Sequence, residues 1–429
     1  MTIKMMPFWW ESGAPKVHPK IDLASKSDVV VVGAGYAGLS AAITLGRAGR
    51  SVQVFDKMSP GEGASTRNGG LASGNIKISF SQLIKTIGMQ RAKAIYEEGV
   101  VARQKLFKFI KEEKIECDFN LSGRFIAAFT PKHFESQAKE AQLLNNELGL
   151  EAYMISKTDQ HKEIATDMYF GGMIRPDLGG LHPAKFHAAL LKLTKKASVV
   201  IHGQCPVTKI LETRKGLVVT TPLGEVIARD VIISTNGYTD RLDKWLQRRL
   251  IPIKSRMIAT EQIPAETMAR LMPNKRLFGE TRTLFHYFRP SPDGTRILMG
   301  GNEGKNTNDP QRNSNELKNY LYKIFPDISD INISHYWDGN VAFNLDFLPR
   351  LFKRRGVTYA TGFCGSGVVW AWWIGQKAAL KLLNDCNSKT QFDGEPPGAL
   401  PLYNGNPWFL PAIMIWFKLK DLIGASSKK

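Results

Sequence analysis

The residues with the clearest chemical purpose are three glycines in the segment DVVVVGAGYAGLSAAITLGRAGRSVQVFD. Gly33, Gly35 and Gly38 follow an apolar strand-like run, and their G-x-G-x-x-G spacing is typical of a strand-to-helix turn that binds a dinucleotide. The first glycine permits the tight turn, the second lets the backbone approach a pyrophosphate, and the third lets helix and strand pack closely. The N–H groups at the start of the helix would then face the phosphates.

The second strand-like run of this segment, SVQVF, ends at Asp56. A carboxylate at that position can accept hydrogen bonds from ribose hydroxyls, and an acid in place of an arginine argues against a 2′-phosphate. Strand, glycines, helix, strand and acid form one βαβ unit, which is far more specific than the glycines alone. The segment therefore predicts a dinucleotide-binding site.

The loop after Lys57 bears on whether the dinucleotide is NAD or FAD. An NAD enzyme would usually continue into another helix and strand, whereas this chain continues as SPGEGASTRNGGLASG, which is rich in Gly, Ser and Asn. Such a loop can wrap the phosphate and ribityl side of a flavin, although its composition alone also fits a flexible surface loop. The loop is therefore compatible with FAD, but these residues alone leave the choice between FAD and NAD open.

Six sequence blocks, in the same order, make the chain resemble the D-amino-acid oxidase-like (glycine oxidase, sarcosine oxidase) superfamily of FAD enzymes. Within it, the chain is most similar to the gamma-glutamylputrescine oxidoreductase-like branch, over roughly residues 5 to 385. The blocks are GASTRNGG, GGLHPAKFHAALL, VTKI, VIISTNGYTDRL, HYFRPSPDGTRILMGG and GFCGSGV. The resemblance implies an α/β fold, with a Rossmann-like FAD-binding domain and an α+β substrate domain built on an antiparallel sheet.

Motif and resemblance together predict the residues that contact FAD, including Val207, where the backbone of the family meets the adenine. The predicted set is Gly33, Ala34, Gly35, Tyr36, Ala37, Gly38, Asp56, Lys57, Ala64, Ser65, Thr66, Arg67, Asn68, Gly69, Gly70, Leu71, Val207, Thr235, Asn236, Gly237, Gly362, Cys364, Gly365, Ser366, Gly367 and Val368. No metal site is expected, because the chain has no cluster with metal-ligand spacing.

The glycine-rich stretch GFCGSGVVWAWW follows a strand-like run and opens a predicted helix from Val368 to Leu383. A helix that begins there would direct its N-terminus at an anion. In the family this loop faces the flavin ring, where reduction creates negative charge. Ser366 departs from the histidine often found in relatives, which puts a proton-transfer role of this position in doubt. A covalent link from Cys364 to the flavin is an alternative.

The reaction that the resemblance implies is FAD-dependent oxidation of an amine or amino acid at its C–N bond. We expect transfer of the α-hydrogen as hydride to flavin N5, an imine that water hydrolyses, and reoxidation by oxygen. This chemistry needs a neutral amine, a carbon held over the ring and positive charge near the N1–C2=O edge. It needs no protein nucleophile, and the sequence has no GxSxG or Cys/His constellation that would supply one.

The segment TLFHYFRPSPDGTRILMGG, which reads as a hairpin, contributes two candidate catalytic residues. Alternation places Phe285, Tyr287 and Arg289 on one face and His286 and Phe288 on the other. The family usually places an aromatic hydroxyl over the flavin, three residues before the hairpin proline, and Tyr287 matches that position. His286 is the second candidate. Each has an ordinary structural alternative, as a cross-strand aromatic or a structural histidine.

Arg67 is the third candidate catalytic residue. From its place in STRNGG it could stabilise reduced flavin or bind a carboxylate, or it could simply pair with an acid. Lys254, Arg256 and Arg289 are further candidates for an anion anchor. A bidentate arginine is the usual way to orient a carboxylate, but the sequence does not identify which arginine would do so.

Length and block order predict three parts. At 429 residues the chain suits two or three domains. We predict a discontinuous FAD-binding domain, a substrate domain and a C-terminal tail, with the bounds 25–80, 180–245 and 340–385 for the first, 81–179 and 246–339 for the second, and 386–429 for the third.

Composition limits the possible partners and compartment. Four well-separated cysteines, with no evident secretory signal or membrane-spanning apolar run, fit a cytoplasmic protein. The formal net charge of +19 favours anionic partners, including an acidic substrate. Nucleic acid is not expected as a partner, because no binding motif accompanies the charge. The expected partners are a small amine or amino acid and an electron acceptor, oxygen or quinone.

The tail PWFLPAIMIWFKLKDLIGASSKK motivates a rival reading. Its apolar residues and tryptophans stand beside Lys418, Lys420, Lys428 and Lys429, which suits peripheral contact of residues 407–424 with the inner membrane. The protein would then be a dehydrogenase of the same superfamily that passes electrons to a membrane quinone. Two alternatives are a tail docked on the protein itself or on a second subunit, and a non-enzymatic flavin-binding protein.

Overall fold

The computed structural model describes residues 2–19, 21–301 and 309–426, with side chains as far as residue 421. Within those residues there are eighteen strands and eleven α-helices. The strands are β1 (Lys26–Val32), β2 (Val52–Phe55), β3 (Leu71–Ala72), β4 (Arg124–Ala127), β5 (Tyr153–Ile155), β6 (Gly172–Arg175), β7 (Gly179–Gly180), β8 (Val200–His202), β9 (Lys209–Thr213), β10 (Gly216–Thr221), β11 (Gly224–Ile233), β12 (Ile251–Thr260), β13 (Leu277–Glu280), β14 (Tyr287–Pro290), β15 (Ile297–Gly301), β16 (Ile333–Phe343), β17 (Arg350–Arg354) and β18 (Val357–Thr361).

The helices include the two predicted at the glycine-rich loops. They are α1 (Trp10–Gly13), α2 (Tyr36–Arg47), α3 (Phe80–Ile87), α4 (Met89–Glu112), α5 (Pro131–Leu148), α6 (Pro183–Lys196), α7 (Lys244–Gln247), α8 (Ala265–Leu271), α9 (Pro310–Ile324), α10 (Gly367–Leu382) and α11 (Leu410–Ser426). None of the helices in the described part of the chain is long and apolar enough to cross a membrane.

The first sheet has the strand order β17-β18-β11-β1-β2-β8, with β10 and β9 attached through β11. Strands β18, β11, β1, β2 and β8 run parallel. The apolar run of β1 lies at the centre, and Val29 to Val32 are buried, as expected for a strand covered on both faces. This sheet is the Rossmann-like part that the sequence predicts.

Helices α2 and α10 pack closely, and both begin at the same side of the first sheet. A Cβ atom on Gly375 would lie 2.1 Å from the Ala37 carbonyl oxygen, so no larger residue fits without separating the helices. Ser40 Oγ also donates to the Trp372 carbonyl at 2.7 Å. These contacts fix the N-terminus of α2 relative to that of α10.

The second sheet has the order β16-β12-β15-β14-β13-β4-β6-β5 and is antiparallel except between β13 and β4. On one face, Phe125, Phe278 and Phe288 pack with residues of α8 and α9 in a common core. The opposite face looks toward the first sheet. The predicted hairpin is present as β14 and β15, closed by Ser291 N–H donating to the Arg296 carbonyl at 2.8 Å. The α/β fold class is therefore confirmed, whereas the domain bounds stay a prediction.

Candidate active site

A cavity of about 1070 Å³ lies between the two sheets. Its wall includes the loops that follow β1, β2 and β11, the start of α10, and one face of β4, β6 and β14. Pockets for small ligands usually have volumes of roughly 300 to 1,000 Å³. This cavity therefore has room for a large ligand together with a second molecule.

The glycine turn before α2 forms one end of the cavity. Gly33 has φ of +104°, in the region that favours glycine, and a Cβ on Gly38 would lie 1.9 Å from the Gly33 carbonyl oxygen. A Cβ on Gly35 would lie 2.9 Å from Ser65 Oγ, which already accepts a hydrogen bond from Tyr36 N–H at 3.0 Å. The turn thus leaves open a cradle that any side chain would fill, as a pyrophosphate site requires.

Asp56 lies in the cavity wall at the end of β2. Its Oδ2 accepts from Ala34 N–H at 2.8 Å and its Oδ1 from Met58 N–H at 2.9 Å. Burial raises the pKa of this carboxyl group, while the two backbone N–H groups act in the opposite direction. Each oxygen retains a lone pair that can accept from a ribose hydroxyl.

The loop after β2 is held from outside by indole groups that the sequence analysis missed. Trp9 Nε1 donates to the Asn68 carbonyl (2.9 Å), Trp10 Nε1 to Thr66 Oγ1 (2.8 Å) and Trp337 Nε1 to the Arg67 carbonyl (2.8 Å). The adjacent tryptophans in PFWWESG were the only sequence signal, and that segment carries no binding motif. These bonds position the loop against the cavity.

Arg67 lines the cavity, but its donors serve the loop. Its Nε donates to the Glu62 carbonyl at 2.7 Å and its Nη1 to the Asp338 carbonyl at 3.1 Å, and its guanidinium carbon lies 4.6 Å from the centre of the Trp10 ring. Among the described residues no carboxylate pairs with it. Arg67 therefore brings fixed positive charge to the wall.

The loop before α10 forms the facing end of the cavity. Asn236 Oδ1 accepts from Gly362 N–H at 3.0 Å and so joins this loop to the one after β11. The Cys364 thiol donates to Asn344 Oδ1 at 3.3 Å, and burial raises its pKa to about 12. Cys364 is therefore a neutral thiol near pH 7, which is unfavourable for a covalent link because the thiolate is the reactive form.

Most residues predicted to contact FAD lie in one wall. The wall contains Gly33, Gly35, Tyr36, Ala37, Asp56, Lys57, Ala64, Ser65, Arg67, Asn68, Gly69, Leu71, Val207, Thr235, Asn236, Gly237, Cys364, Gly365, Ser366, Gly367 and Val368. Five predicted residues lie outside the wall that the described residues form, namely Ala34, Gly38, Thr66, Gly70 and Gly362. Each of these five is next in the chain to a residue of the wall.

Tyr287 lies where the two sheets meet across the cavity. Its ring occupies the space above Gly300, where a Cβ would lie 2.3 Å from Tyr287 Cζ, and it packs against Gly69 of the loop after β2. Its hydroxyl lies 3.3 Å from Ser255 Oγ, and burial raises its pKa above the ordinary value for tyrosine. Tyr287 therefore presents a neutral phenol at the cavity.

The structure does not bring His286 to the cavity. Its Nδ1 lies 2.8 Å from Glu280 Oε1 and its ring stacks on Tyr320 with centroids 3.8 Å apart, on the α9 side of the second sheet. Strand alternation separated it from Tyr287 correctly, but could not show which face borders the cavity. This placement gives His286 a packing role in the core.

Of the three remaining candidates for an anion anchor, one lies in the described cavity wall and two do not. Lys254 lines the cavity, with Nζ 3.9 Å from Asp338 Oδ2. Arg256 is buried beside Glu316, and Arg289 is buried with Nη1 donating to the Leu181 carbonyl at 3.0 Å. Among the described wall residues neither arginine occurs. Four cations that the sequence did not single out are in the wall instead, namely Lys77, Arg124, Arg175 and Arg282.

The helix α11 closes part of the cavity. The wall includes Phe409, Leu410, Ile413, Met414 and Phe417. Asp421 fastens this helix, since its carboxylate accepts from Thr283 N–H at 2.8 Å and from Leu284 N–H at 3.0 Å.

The outer face of α11 is apolar and solvent-exposed, as is Trp408 two residues before the helix; Trp408, Ile415, Trp416 and Leu419 are between 52% and 63% accessible. The tail is thus docked on its own chain with one face and open on the other. Lys428 and Lys429, which the sequence analysis also assigned to the interfacial face, lie outside the described residues.

Residues 28–380 match the sequence model of the family described as DAO, FAD dependent oxidoreductase. Among curated proteins, the chain is 26% identical over 423 residues to a probable oxidoreductase OrdL of Rhizobium meliloti, covering 96% of this chain and 97% of the relative. It is 27% identical over 406 residues to a gamma-glutamylputrescine oxidoreductase of Escherichia coli, covering 92% and 93%. Among solved structures, a glycine oxidase from Geobacillus kaustophilus superposes with a TM-score of 0.73 at 20% identity, covering 88% of this chain and 99% of that chain.

Proposed function

The chain belongs to the DAO family of FAD-dependent oxidoreductases, and from that premise we propose that it oxidises the C–N bond of an amine or amino acid. The observation that carries the proposal is one cavity bordered by the glycine cradle, the start of α10 and Tyr287. Relatives named for an amine and for an amino acid support the substrate class. When bound, FAD supplies the acceptor for the substrate's hydride, and water hydrolyses the resulting imine.

The residues of the first sheet fit FAD and would hold it in two places. The cradle at Gly35 and the N–H groups in the first turn of α2 that follow Tyr36, whose own N–H donates to Ser65 Oγ, would bind the pyrophosphate, and Asp56 would accept from the ribose. The N-terminus of α10 offers further free N–H groups to the end of the cofactor that becomes negative on reduction. The positive charge of Arg67 would also stabilise the negative charge that reduction creates on the cofactor.

Tyr287 would orient the substrate as a hydrogen-bond donor. Its raised pKa keeps the phenol protonated at neutral pH, so it is a poor base. Because its ring is packed between Gly300 and Gly69, the direction of the hydroxyl is fixed. A substrate that accepts a hydrogen bond from this hydroxyl would keep a fixed position relative to the loop that faces the cofactor.

The proposed function is tested by anaerobic bleaching of the flavin with primary, N-methyl and acidic amines. We expect at least one class to bleach the bound FAD, and Tyr287→Phe to slow bleaching about tenfold or more while FAD content stays unchanged. Bound FAD that no amine or amino acid reduces would leave a non-enzymatic flavin-binding protein as the better account. Unchanged kinetics in Tyr287→Phe would remove this residue from the site.

A second candidate function is supported by the exposed apolar face of α11, where Trp408, Ile415 and Trp416 stand beside Lys418 and Lys420. Such a face suits an anionic bilayer surface and electron transfer to a membrane quinone, with the enzyme peripheral to the inner membrane. The first candidate is a cytoplasmic enzyme that is reoxidised by oxygen.

Pelleting with anionic vesicles separates the two candidates. The membrane-associated candidate predicts that the full chain pellets and that a chain lacking residues 405–429 does not. Equal pelleting of both forms, together with reoxidation by oxygen as fast as by a soluble quinone, would decide for the cytoplasmic oxidase. FAD content of the shortened chain serves as the folding control.

A further inference from the structure

We propose that Lys77 and Arg124 form an anion-binding subsite, so that the substrate of the proposed reaction carries a carboxylate held between them. That the bound anion is a substrate rests on the proposed function. That an anion binds between these two side chains rests only on the geometry of the cavity.

Arg124 stands on the cavity face of β4. The alternation of RFIA buries Phe125 and Ala127 in the core with α8 and α9, and places Arg124 and Ile126 in the cavity wall. In the described part of the chain no carboxylate pairs with the guanidinium, and its Nε is buried without a hydrogen-bond partner. A buried charge without a partner is costly, so its retention requires a counter-ion that the protein does not supply.

A glycine makes the space that this guanidinium occupies. A Cβ on Gly279 would lie 2.3 Å from Arg124 Nη2, so the guanidinium reaches from β4 across the neighbouring strand β13. Gly279 is paired directly with Tyr287 of β14. The positive charge therefore lies beside the strand that carries the proposed substrate-orienting phenol.

Lys77 is the second cation of the subsite. Its Nζ lies 3.8 Å from the centre of the Phe285 ring, and no described carboxylate pairs with it. The Lys77 side chain is exposed to the cavity. Because protein surrounds that part of the cavity, the ammonium group is poorly hydrated, and its pKa is lowered to about 8. The Phe285 ring that Lys77 contacts lies 6.0 Å, centre to centre, from the Tyr287 ring, and Tyr287 is paired with Gly279, where the Arg124 guanidinium lies. The two cations therefore approach the same phenol from the side of Phe285 and from the side of Gly279.

Two other arginines of the wall, Arg175 and Arg282, are already neutralised by carboxylates. Arg175, directly opposite Arg124 on β6, donates Nε and Nη2 to the two oxygens of Asp177 at 2.9 and 2.8 Å. Arg282 in the wall lies 3.8 Å from the carboxylate of Asp421. Among the described cations of the wall, uncompensated charge therefore remains at Lys77 and Arg124, and at Arg67, whose Nε and Nη1 donate to loop carbonyls.

Two of the four carboxylates in the described wall, Glu140 and Glu280, are also engaged, so neither of them competes for these cations. Glu140 accepts from the N–H groups of Phe80 and Ser81 at 2.7 and 3.1 Å, at the start of α3. Glu280 accepts from the hydroxyls of Tyr169 and Tyr320 at 3.0 and 2.7 Å. A carboxylate on the ligand is the group that would complete the site.

The test uses the FAD-loaded enzyme and two probes of equal shape, propionate and propionamide. Binding is followed by the change in the flavin absorbance spectrum and by titration calorimetry. We expect propionate to bind at least about tenfold more tightly than propionamide, and Arg124→Met and Lys77→Met each to weaken propionate about 10- to 100-fold with little effect on propionamide. Lys85→Met, which removes an exposed lysine of α3 outside the wall, should change neither.

Gly279→Ala provides a variant that keeps every charge. The added methyl would displace the guanidinium, and we expect propionate affinity to fall while the enzyme keeps its FAD. This variant decides the matter if Arg124→Met fails to fold. Equal affinity for the two probes, or the same affinity in Gly279→Ala as in the parent, would overturn the subsite.

The subsite and the reaction can fail separately. If propionate binds through Lys77 and Arg124 but no amine reduces the flavin, the subsite stands and the proposed function falls. If glycinamide or ethylamine reduces the flavin as fast as glycine or acidic amines do, and propionate does not bind, the reaction stands and the subsite falls.

Discussion

At the scale of single residues, Arg124 carries a charge that the folded chain does not neutralise. Replacing it by methionine would remove the desolvation cost and keep most of the packing. We expect Arg124→Met to be more stable than the parent by about 1 kcal/mol without ligand, although it binds anions worse. Thermal unfolding with and without propionate measures both effects. A less stable variant would show that Arg124 has a structural partner.

Lys77 gives anion binding a pH dependence. Burial lowers its pKa to about 8, so above that pH the free enzyme loses a charge that a bound carboxylate would need. Propionate affinity should stay level below pH 8 and fall as the pH rises through it. The neighbours do not titrate there, because burial holds the pKa of Arg124 at about 10, that of Cys364 at about 12 and that of Tyr96 above its usual range.

The matched measurement for this prediction is the same pH series on Lys77→Met. That variant should bind weakly and evenly from pH 6 to 9. A parent profile that parallels the variant would mean that another group controls anion binding.

At the scale of elements, the contact of α2 with α10 sets how the two helix N-termini meet the cavity. Gly375→Ala would place a methyl 2.1 Å from the Ala37 carbonyl oxygen, and the helices would have to separate. Overpacking of this kind costs about 1–3 kcal/mol. We expect a lower unfolding temperature and weaker FAD retention on dilution. Gly398→Ala, whose Cβ would make only an ordinary 3.4 Å contact, is the control.

The elements that sequence could predict are those whose cause is local. The turn Gly33 to Gly38 and the hairpin at Tyr287 each depend on neighbouring residues, so spacing and turn chemistry identify them. Arg124 and Lys77 escaped notice because a lone cation in the sequence has no visible partner. Only the pairing of β4 with β13 and β6 shows that Arg124 faces a cavity and that Arg175 beside it is already neutralised.

At the scale of the whole molecule, the cavity is closed by the end of the chain. Asp421 holds α11 through two backbone N–H groups of the segment between β13 and β14. Asp421→Ala should release the helix while the two sheets stay intact. We expect faster quenching of flavin fluorescence by iodide and little change in unfolding temperature. Unchanged quenching would show that the apolar contacts of α11 suffice.

The strand order of the first sheet has a consequence for how the protein is made. β1 lies between β2 and β11, and β18 joins only on the far side of β11, so the sheet that presents the glycine cradle needs residues about 330 positions apart. The wall extends further, to Phe417. At roughly 5–20 residues per second, the ribosome takes on the order of 20 to 80 s to travel from the cradle to α11. During that interval the apolar half of β1, Val29 to Val32, has no complete sheet to bury it and is exposed to aggregation.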